Sequence, residues 1–482
     1  MRGSYGLIPI FLLVPTIAFG AGFEVPENTT KSVARGGTGA VSKADPSALY
    51  FNPALLPRAR GIQVLLDLNV LKHDVSFSRD DLVVGDTRRE FEPTENTDGF
   101  FPAPFFAASY DFGIEGFAAG VGVFGPSAYG KRCLGKRNGD TCEYEYSNSA
   151  KHMMVDSDIV EVYFTLGAGY TIDLGSGGNL SFGLAGALAW QETNFSVVVD
   201  ELQVSPPFNE DPQQQSYMKA ENLSDFQPTG FVGVAWEHSG FRVGASYRPP
   251  IDWDTTGEFS LEFPPAFSEL AELDGNTLNF KTKQAGSLRA GISYEYGEHP
   301  GLPSAPLFDI EFNYVWEDWS RVDNFEIEPR VQLLIVDVPQ PLNSVLQRKG
   351  WQDTHSFRLG GSFGATSWLT LMAGAAYETA AMPIEYTNID FASWERTSFG
   401  GGLSVHALDW LEVSLAYSAT MSPDRTVTNG AVYQSIPTSG CTGPDYQDAA
   451  CANPGTPPGN PQNNGQWSTF TQIISVGTSF KF

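Results

Sequence analysis

The chain alternates apolar and polar residues with a period of two along most of its length, and that period restricts it to β-structure. In "SFGLAGALAW", Phe182, Leu184, Leu188 and Trp190 share one face, opposite Gly183, Ala185, Ala187 and Ala189. In "DIEFNYVWEDW", Ile310, Phe312, Tyr314 and Trp316 oppose Asp309, Glu311, Asn313 and Glu317. "SLRAGISYEY" sets Leu288, Ala290, Ile292, Tyr294 and Tyr296 against Arg289, Gly291, Ser293 and Glu295. The polar faces carry both signs of charge, including Arg242, Arg248, Arg358 and Arg396. Two architectures accept such strands: a soluble sandwich that hides the apolar faces, or a closed barrel that turns them to lipid.

The connections separate the two. Fourteen strand regions are expected, starting near Gly61, Pro102, Gly116, Asp158, Gly178, Gln227, Gly240, Lys281, Pro306, Asp353, Ser367, Phe391, Asp409 and Trp467. Links such as "GIE", "GSG", "HSG", "GATS" and "HALD" are short, whereas Phe77 to Phe101, Gly125 to Ser157, Asp200 to Phe226 and Met421 to Gln466 are long. A sandwich has no reason to keep its short links at one end. An even strand count with short turns at one end and long loops at the other is the pattern of an outer-membrane barrel. The predicted fold is therefore all-β, a 14-stranded antiparallel transmembrane β-barrel.

The beginning of the chain gives the address. Met1-Arg2 is followed by 13 apolar residues, Leu7 to Phe19, and then by the small residues of Ala18-Phe19-Gly20. A spanning helix needs about 20 apolar residues, so residues 1–20 read as a secretory signal and the mature chain is expected to start at Ala21. Residues 21–60 form a separate segment before the barrel of residues 61–482. The last strand, "TQIISVGTSFKF", places Ile474, Val476, Phe480 and Phe482 on one face, and an aromatic final residue is usual in bacterial outer-membrane barrels. Tyr170, Trp190, Tyr247, Trp316, Trp319, Trp368, Trp394 and Trp410 stand near strand ends and are expected in the interfacial girdles. The outer membrane of a Gram-negative cell, with its lipid and lipopolysaccharide as surroundings, is the expected location.

A net charge of −27 excludes nucleic acid as a partner. The acids Asp200, Glu201, Glu210, Asp211, Glu221 and Asp225 face one lysine, Lys219, and read as a solvated loop with divalent-ion binding as the alternative. Four cysteines form two local pairs in an exported chain, so Cys133–Cys142 and Cys441–Cys451 are expected as loop-closing disulfides, each contributing about 2–3 kcal/mol. The six histidines show no metal-ligand spacing and stand beside no serine-nucleophile motif. Gly36-Gly37-Thr38-Gly39 with Lys43 lacks the Gly-Lys-Ser/Thr ending of a phosphate loop. No enzyme, metal or cofactor is expected.

A barrel of fourteen strands is wide enough for a lumen. The stretch "AGFEVPENTTKSVARGGTGAVSKADPSALYFNPALL", rich in small residues and ending at Asn52-Pro53-Ala54, has the character of a plug folded inside it. It resembles the amino-terminal hatch of the outer-membrane fatty-acid and aromatic-hydrocarbon transporters, the FadL/TodX group. "GVGVFGP", "ASYRPPIDWDTTG" and "NYVWEDWS" are similar to that group as well, so the resemblance covers nearly the whole mature chain.

That resemblance implies passive uptake of a hydrophobic small molecule: capture at an outer groove, movement of the hatch, and exit through a gap in the barrel wall. It places Ala21, Gly22 and Phe23 beside an internal pocket; Asn52, Pro53 and Ala54, close to the first strand, are expected to fix where the hatch sits against the wall. A monomer is expected. Gly120, Gly122, Gly125 and Pro126 suit the lateral exit, because glycine bends a strand and proline has no ladder donor. "FPPAFSELAELDG" reads as a short amphipathic helix, with Phe267, Leu270 and Leu273 lining a capture groove or packing on the loop beneath. A general diffusion porin and a structural or adhesive surface barrel are the alternatives.

Overall fold

A computed structural model describes residues 28–125, 130–139, 141–200, 210–264, 268–300, 305–341, 344–433 and 460–482. Fourteen antiparallel staves form its wall. They are β1 (Ile62–Arg79), β2 (Phe101–Tyr110), β3 (Phe117–Phe124), β4 (Asp156–Asp173), β5 (Asn179–Asp200) and β6 (Gln215–His238). Next come β7 (Phe241–Arg248, then Ile251–Glu262), β8 (Thr277–Gln284, then Ser287–Tyr296), β9 (Phe308–Glu317, then Asn324–Pro329) and β10 (Val345–Arg348, then Thr354–Gly364). The last are β11 (Leu369–Glu378), β12 (Arg396–Leu408), β13 (Leu411–Met421) and β14 (Gly465–Lys481). Each pairs with its sequence neighbour, and β1 pairs with β14 from Gln63↔Lys481 to Arg79↔Gly465. That last ladder closes the barrel and leaves no edge.

The alternation places the apolar residues outside. Leu166 and Leu184 are each 65% exposed, in register with a belt that includes Val121, Phe164, Val232, Phe312 and Leu415. The inward positions are polar: Arg242, Arg248, Arg289, Asp309, Glu311, Asn313 and Arg358 are all buried. In water such a surface would aggregate; against hydrocarbon it is the stable arrangement.

Staves β7 to β10 are each interrupted at a similar height, at 249–250, 285–286, 318–323 and 349–353. Below the interruption the outward face of β7 is Phe241, Val243 and Tyr247; above it the outward residues are Asp252, Asp254, Thr256, Glu258, Ser260 and Glu262. The wall thus continues past the apolar belt as a water-facing cup. Stave β6 likewise begins at Gln215, well before Gln227, so Glu221 and Asp225 belong to a strand rather than to a loop.

Two further readings are corrected. Ala271–Asp274, within the segment expected to be helical, is a strand paired with Gln332–Ile335. Trp319 and Trp394 are fully buried instead of lying in a girdle. The chain turns inward at the β9 interruption, so Trp319 packs on Trp351 with ring centroids 5.3 Å apart and donates to Glu317 at 2.8 Å. Trp394 donates to the Pro423 carbonyl at 2.8 Å inside the long-loop cap.

Residues 28–60 occupy the lumen as helix α1 (Thr30–Ala34), helix α2 (Ala48–Phe51) and a 3₁₀ turn, Pro53–Arg58. Thr29 caps α1 by accepting from the Ser32 N–H. Nearly every residue from Asn28 to Pro57 is buried against the wall. The Cys133–Cys142 disulfide is present, with a Cα–Cα distance of 5.6 Å. Cys441 and Cys451 lie outside the described residues.

Candidate functional site

The hatch is seated by close backbone approach. The Asn52 side chain accepts from the Ala54 N–H at 3.1 Å and donates to the Ala40 carbonyl at 2.9 Å and the Val234 carbonyl at 3.4 Å. Opposite stand Gly183 and Gly233, paired with each other on β5 and β6. A Cβ on Gly233 would overlap the Asn52 side chain, and one on Gly183 would overlap the Pro53–Ala54 peptide. Asn52-Pro53-Ala54 therefore touches the wall where two strands have no side chains.

The earlier half of the hatch is held by charge. Arg35 lies 2.5 Å from Asp309 and 3.4 Å from Glu311, and Glu311 also accepts from the Val41 N–H at 2.9 Å and from the Ser42 hydroxyl. Asn313 accepts from Gly39 and Ala40 at 3.0 and 3.2 Å, and Arg242 donates to the Val41 carbonyl at 2.8 Å. Lys31 pairs with Glu412 at 2.6 Å. Lys43 is buried beside these cations. Burial, only partly offset by Asp45 and reinforced by Arg35 and Lys31, lowers its pKa to about 8.

The later half is apolar. Tyr50 meets Phe124 at 5.6 Å and Phe231 at 5.9 Å between ring centroids, and Phe124 stacks on Phe105 at 4.6 Å and meets Tyr163 at 6.3 Å edge-on. Phe124 is the centre of this aromatic cluster. It is also where the described ladders of β3 end: β2 and β3 pair up to Phe105↔Phe124, and β3 and β4 up to Tyr163↔Phe124, with residues 126–129 outside the described residues. Pairing with β4 resumes at Ser157↔Arg132. The flanking outward residues Phe106, Val123 and Phe164 are exposed and apolar, so this end of the described ladders lies at the upper part of the lipid-facing belt.

Above the cluster, inside the cup, is a cavity of about 50 Å³. Met153, Met154, Ile159, Phe195, Val197, Phe280, Phe325 and Phe391 make it apolar; Arg132, Ser157, Thr193, Gln347 and Asp390 give it a polar pole. Arg132 donates to Ser157 at 2.9 Å and to the Ile389 carbonyl at 3.1 Å. The inward face of β4 joins cavity to cluster: Ser157 and Ile159 line the cavity, Glu161 accepts from Gln284 at 3.3 Å, and Tyr163 belongs to the cluster. At about 3.4 Å per residue the route from Ser157 to Tyr163 is about 20 Å long. Between them Arg248 and Gln284 donate to the Tyr163 hydroxyl at 2.6 and 3.0 Å.

The sequence-derived candidates fall as follows. Ala21, Gly22, Phe23, Pro126 and Phe267 lie outside the described residues. Gly120 and Gly122 are laddered on both sides, to Ser109 and Gly167 and to Ala107 and Thr165, so the ladder does not fail there. Gly125, the last described residue of this stretch, lies so close to the Glu161 carbonyl of β4 that no Cβ fits. Leu270 is exposed on a turn, while Leu273 packs against the core from its strand. Phe124, Tyr163, Arg132 and the two methionines escaped sequence reasoning. A signal existed for Phe124, the one aromatic in "GVGVFGP"; the cavity residues come from segments far apart in the chain and carry none.

Three comparisons place this geometry. The family described as "Outer membrane protein transport protein (OMPP1/FadL/TodX)" matches residues 11–449. A FadL homologue from Pseudomonas aeruginosa superposes with a TM-score of 0.71 at 14% identity, over 96% of this chain and 100% of its own. The Pseudomonas putida toluene transporter TodX gives 0.62 at 15% identity, over 95% and 99%. The Ralstonia pickettii toluene transporter TbuX gives 0.60 at 16% identity, over 94% and 99%. A "47 kDa outer membrane protein" of Pasteurella multocida (strain Pm70) is 24% identical over 162 residues, which span 33% of this chain and 35% of that protein. With the barrel, its lipid-facing belt and its luminal hatch in place, the chain belongs to the OMPP1/FadL/TodX family of outer-membrane transporters of hydrophobic compounds.

Proposed function

We propose that the protein takes up hydrophobic small molecules, long-chain fatty acids or aromatic hydrocarbons, passively through the outer membrane. The solute is captured by the long loops, rests in the cavity, and follows the inward face of β4 after the hatch moves. It leaves sideways through the wall beside Phe124, where the described ladders of β3 end. The observation that carries this reading is the continuity from the cavity along β4 to the aromatic cluster at Phe124, with the hatch's Tyr50 inserted at the end of it. A cavity that admits benzene measures about 150 Å³. At about 50 Å³ this one is in a closed state, and its methionines and phenylalanines must part to admit a solute. The polar pole at Arg132 favours an amphiphile with an acidic head, whereas TodX and TbuX, the toluene transporters of like fold, favour a bare aromatic.

Lateral exit follows from transfer energetics. A solute gains about 0.8 kcal/mol per methylene on leaving water, and release at belt depth retains that gain. A hatch that fills the lumen counts against a general porin. The test is uptake of a panel of alkanoic acids and aromatic hydrocarbons by cells with and without the gene, measured beside equilibrium binding. Phe124→Glu places a carboxylate in the apolar cluster and should stop uptake while binding persists. Undiminished uptake in that variant would remove the lateral route. Phe23→Glu should weaken binding instead, as expected if the mature amino terminus lines the pocket.

A further inference from the structure

We propose that the long-loop cap contains a gate, latched by the buried ion pair of Arg79 and Glu210, that controls access from outside to the cavity. It rests on the cavity being the solute's station. Arg79 ends β1 and donates to both oxygens of Glu210, at 2.8 and 2.7 Å. Glu210 belongs to the segment between β5 and β6. From the segment between β3 and β4, His152 Nε2 comes within 3.4 Å of the same carboxylate. From the segment before β14, Gln462 donates to it at 3.1 Å. The Arg79 guanidinium lies over the Phe91 ring at 4.1 Å, which adds the link after β1. Four connections of the cap therefore meet at one ion pair, three of them at its carboxylate, and both partners of the pair are buried.

Two details make this a latch on the cavity. His152 Nδ1 is 2.8 Å from the Val198 carbonyl, and its chain neighbours Met153 and Met154, like Val197, line the cavity. Releasing His152 and Glu210 releases that part of the lining. Glu210 also holds φ at 50°, a left-handed backbone that a glutamate adopts only when its surroundings enforce it. Burial opposes the charge on Glu210, but His152 and Arg79 outweigh it and keep the carboxyl well below the usual carboxylate range. The latch should therefore hold in mildly acidic medium.

The test uses the full-length protein in intact cells carrying Met154→Cys, exposed to a membrane-impermeant maleimide, with the parent chain as baseline. Labelling should be slow with the latch intact and at least tenfold faster with Glu210→Gln, which leaves Arg79 buried beside a neutral group. Replacing both partners by leucine should restore slow labelling, because an apolar pair closes the cap without a stranded charge. If Glu210→Gln yields little folded barrel by heat-modifiable gel mobility, Arg79→Lys gives an intermediate rate, since it keeps the charge and loses the fork. An unchanged rate in both single variants overturns the gate. No solute enters this measurement, so its failure is distinct from failure of the uptake reading.

Discussion

The two halves of the hatch are held by different forces. From Thr30 to Val41 the contacts are directional and charged: Arg35 with Asp309 and Glu311, Lys31 with Glu412, and Thr30 with Asp67 at 3.0 Å. From Ala48 to Leu56 they are mostly apolar, with Leu49, Tyr50, Phe51, Leu55 and Leu56 packed on Phe105, Phe124, Tyr163 and Phe231. A buried ion pair has one good geometry, and losing a partner costs several kcal/mol. Apolar packing is non-directional, and an apolar passenger can replace it at little cost. The charged half is suited to hold position; the apolar half, packed around Phe124, is suited to give way to a solute.

The contrast can be broken most forcefully at Glu311. Glu311→Leu takes from Arg35 one of its two carboxylate partners, leaving Asp309, and orphans the Val41 N–H, and should weaken hatch docking by about 2–4 kcal/mol. Faster amide exchange across residues 30–41 than across 48–56 is the expected result; equal acceleration would dissolve the distinction between the halves.

The next effect is a pH dependence. Lys43 titrates near 8 in the docked hatch and near its ordinary 10.5 when undocked, so below pH 8 docking carries the cost of a buried charge. Docking should strengthen as pH rises from about 8 to 10.5, by up to about 1.4 kcal/mol per pH unit, and level off above. Lys43→Met should remove that slope, measured by urea-induced hatch release at a series of pH values.

Smaller effects belong to the apolar half. Gly233→Val overfills the seat of Asn52 and should cost about 1–3 kcal/mol, read as hatch exchange confined to residues 48–58. Asn52→Ala removes a cap and should cost about 1 kcal/mol by the same measurement. If Asn52→Ala proved costlier than Glu311→Leu, the seat rather than the ion network would anchor the hatch.

Alternation and link lengths made the staves legible because each outward face meets hydrocarbon. The signal fades where the outward face meets water. "QSYMKAENLSDF" at the top of β6 has no apolar-out pattern, and its strand extends above the belt unnoticed in the sequence. "FSELAELDG" reads as a helix because Leu270 and Leu273 are three apart, yet Ala271–Asp274 pairs with Gln332–Ile335, far along the chain. Local periodicity cannot foresee such a partner. Asn52-Pro53-Ala54 stood out as a motif, but its complement, the facing Gly183 and Gly233, becomes visible only once β5 and β6 are in register. The cavity was least legible, since Arg132, Phe195, Phe280 and Phe391 come from segments far apart in the chain.

The aligned interruptions of β7 to β10 divide the molecule into parts that can be varied separately. Lipid meets the lower staves; the cup above them, which encloses the cavity, has an outer wall that faces water. Substitutions in the cup are then free of the demand for an apolar exterior, and substitutions in the belt are free of the demand to fit a solute. A lineage could retune what it imports by exchanging the upper segments between Ile251 and Glu262, Thr277 and Gln284, and Asn324 and Pro329 as one cassette. The staves beneath would continue to insert as before, so new diets would not require a new barrel.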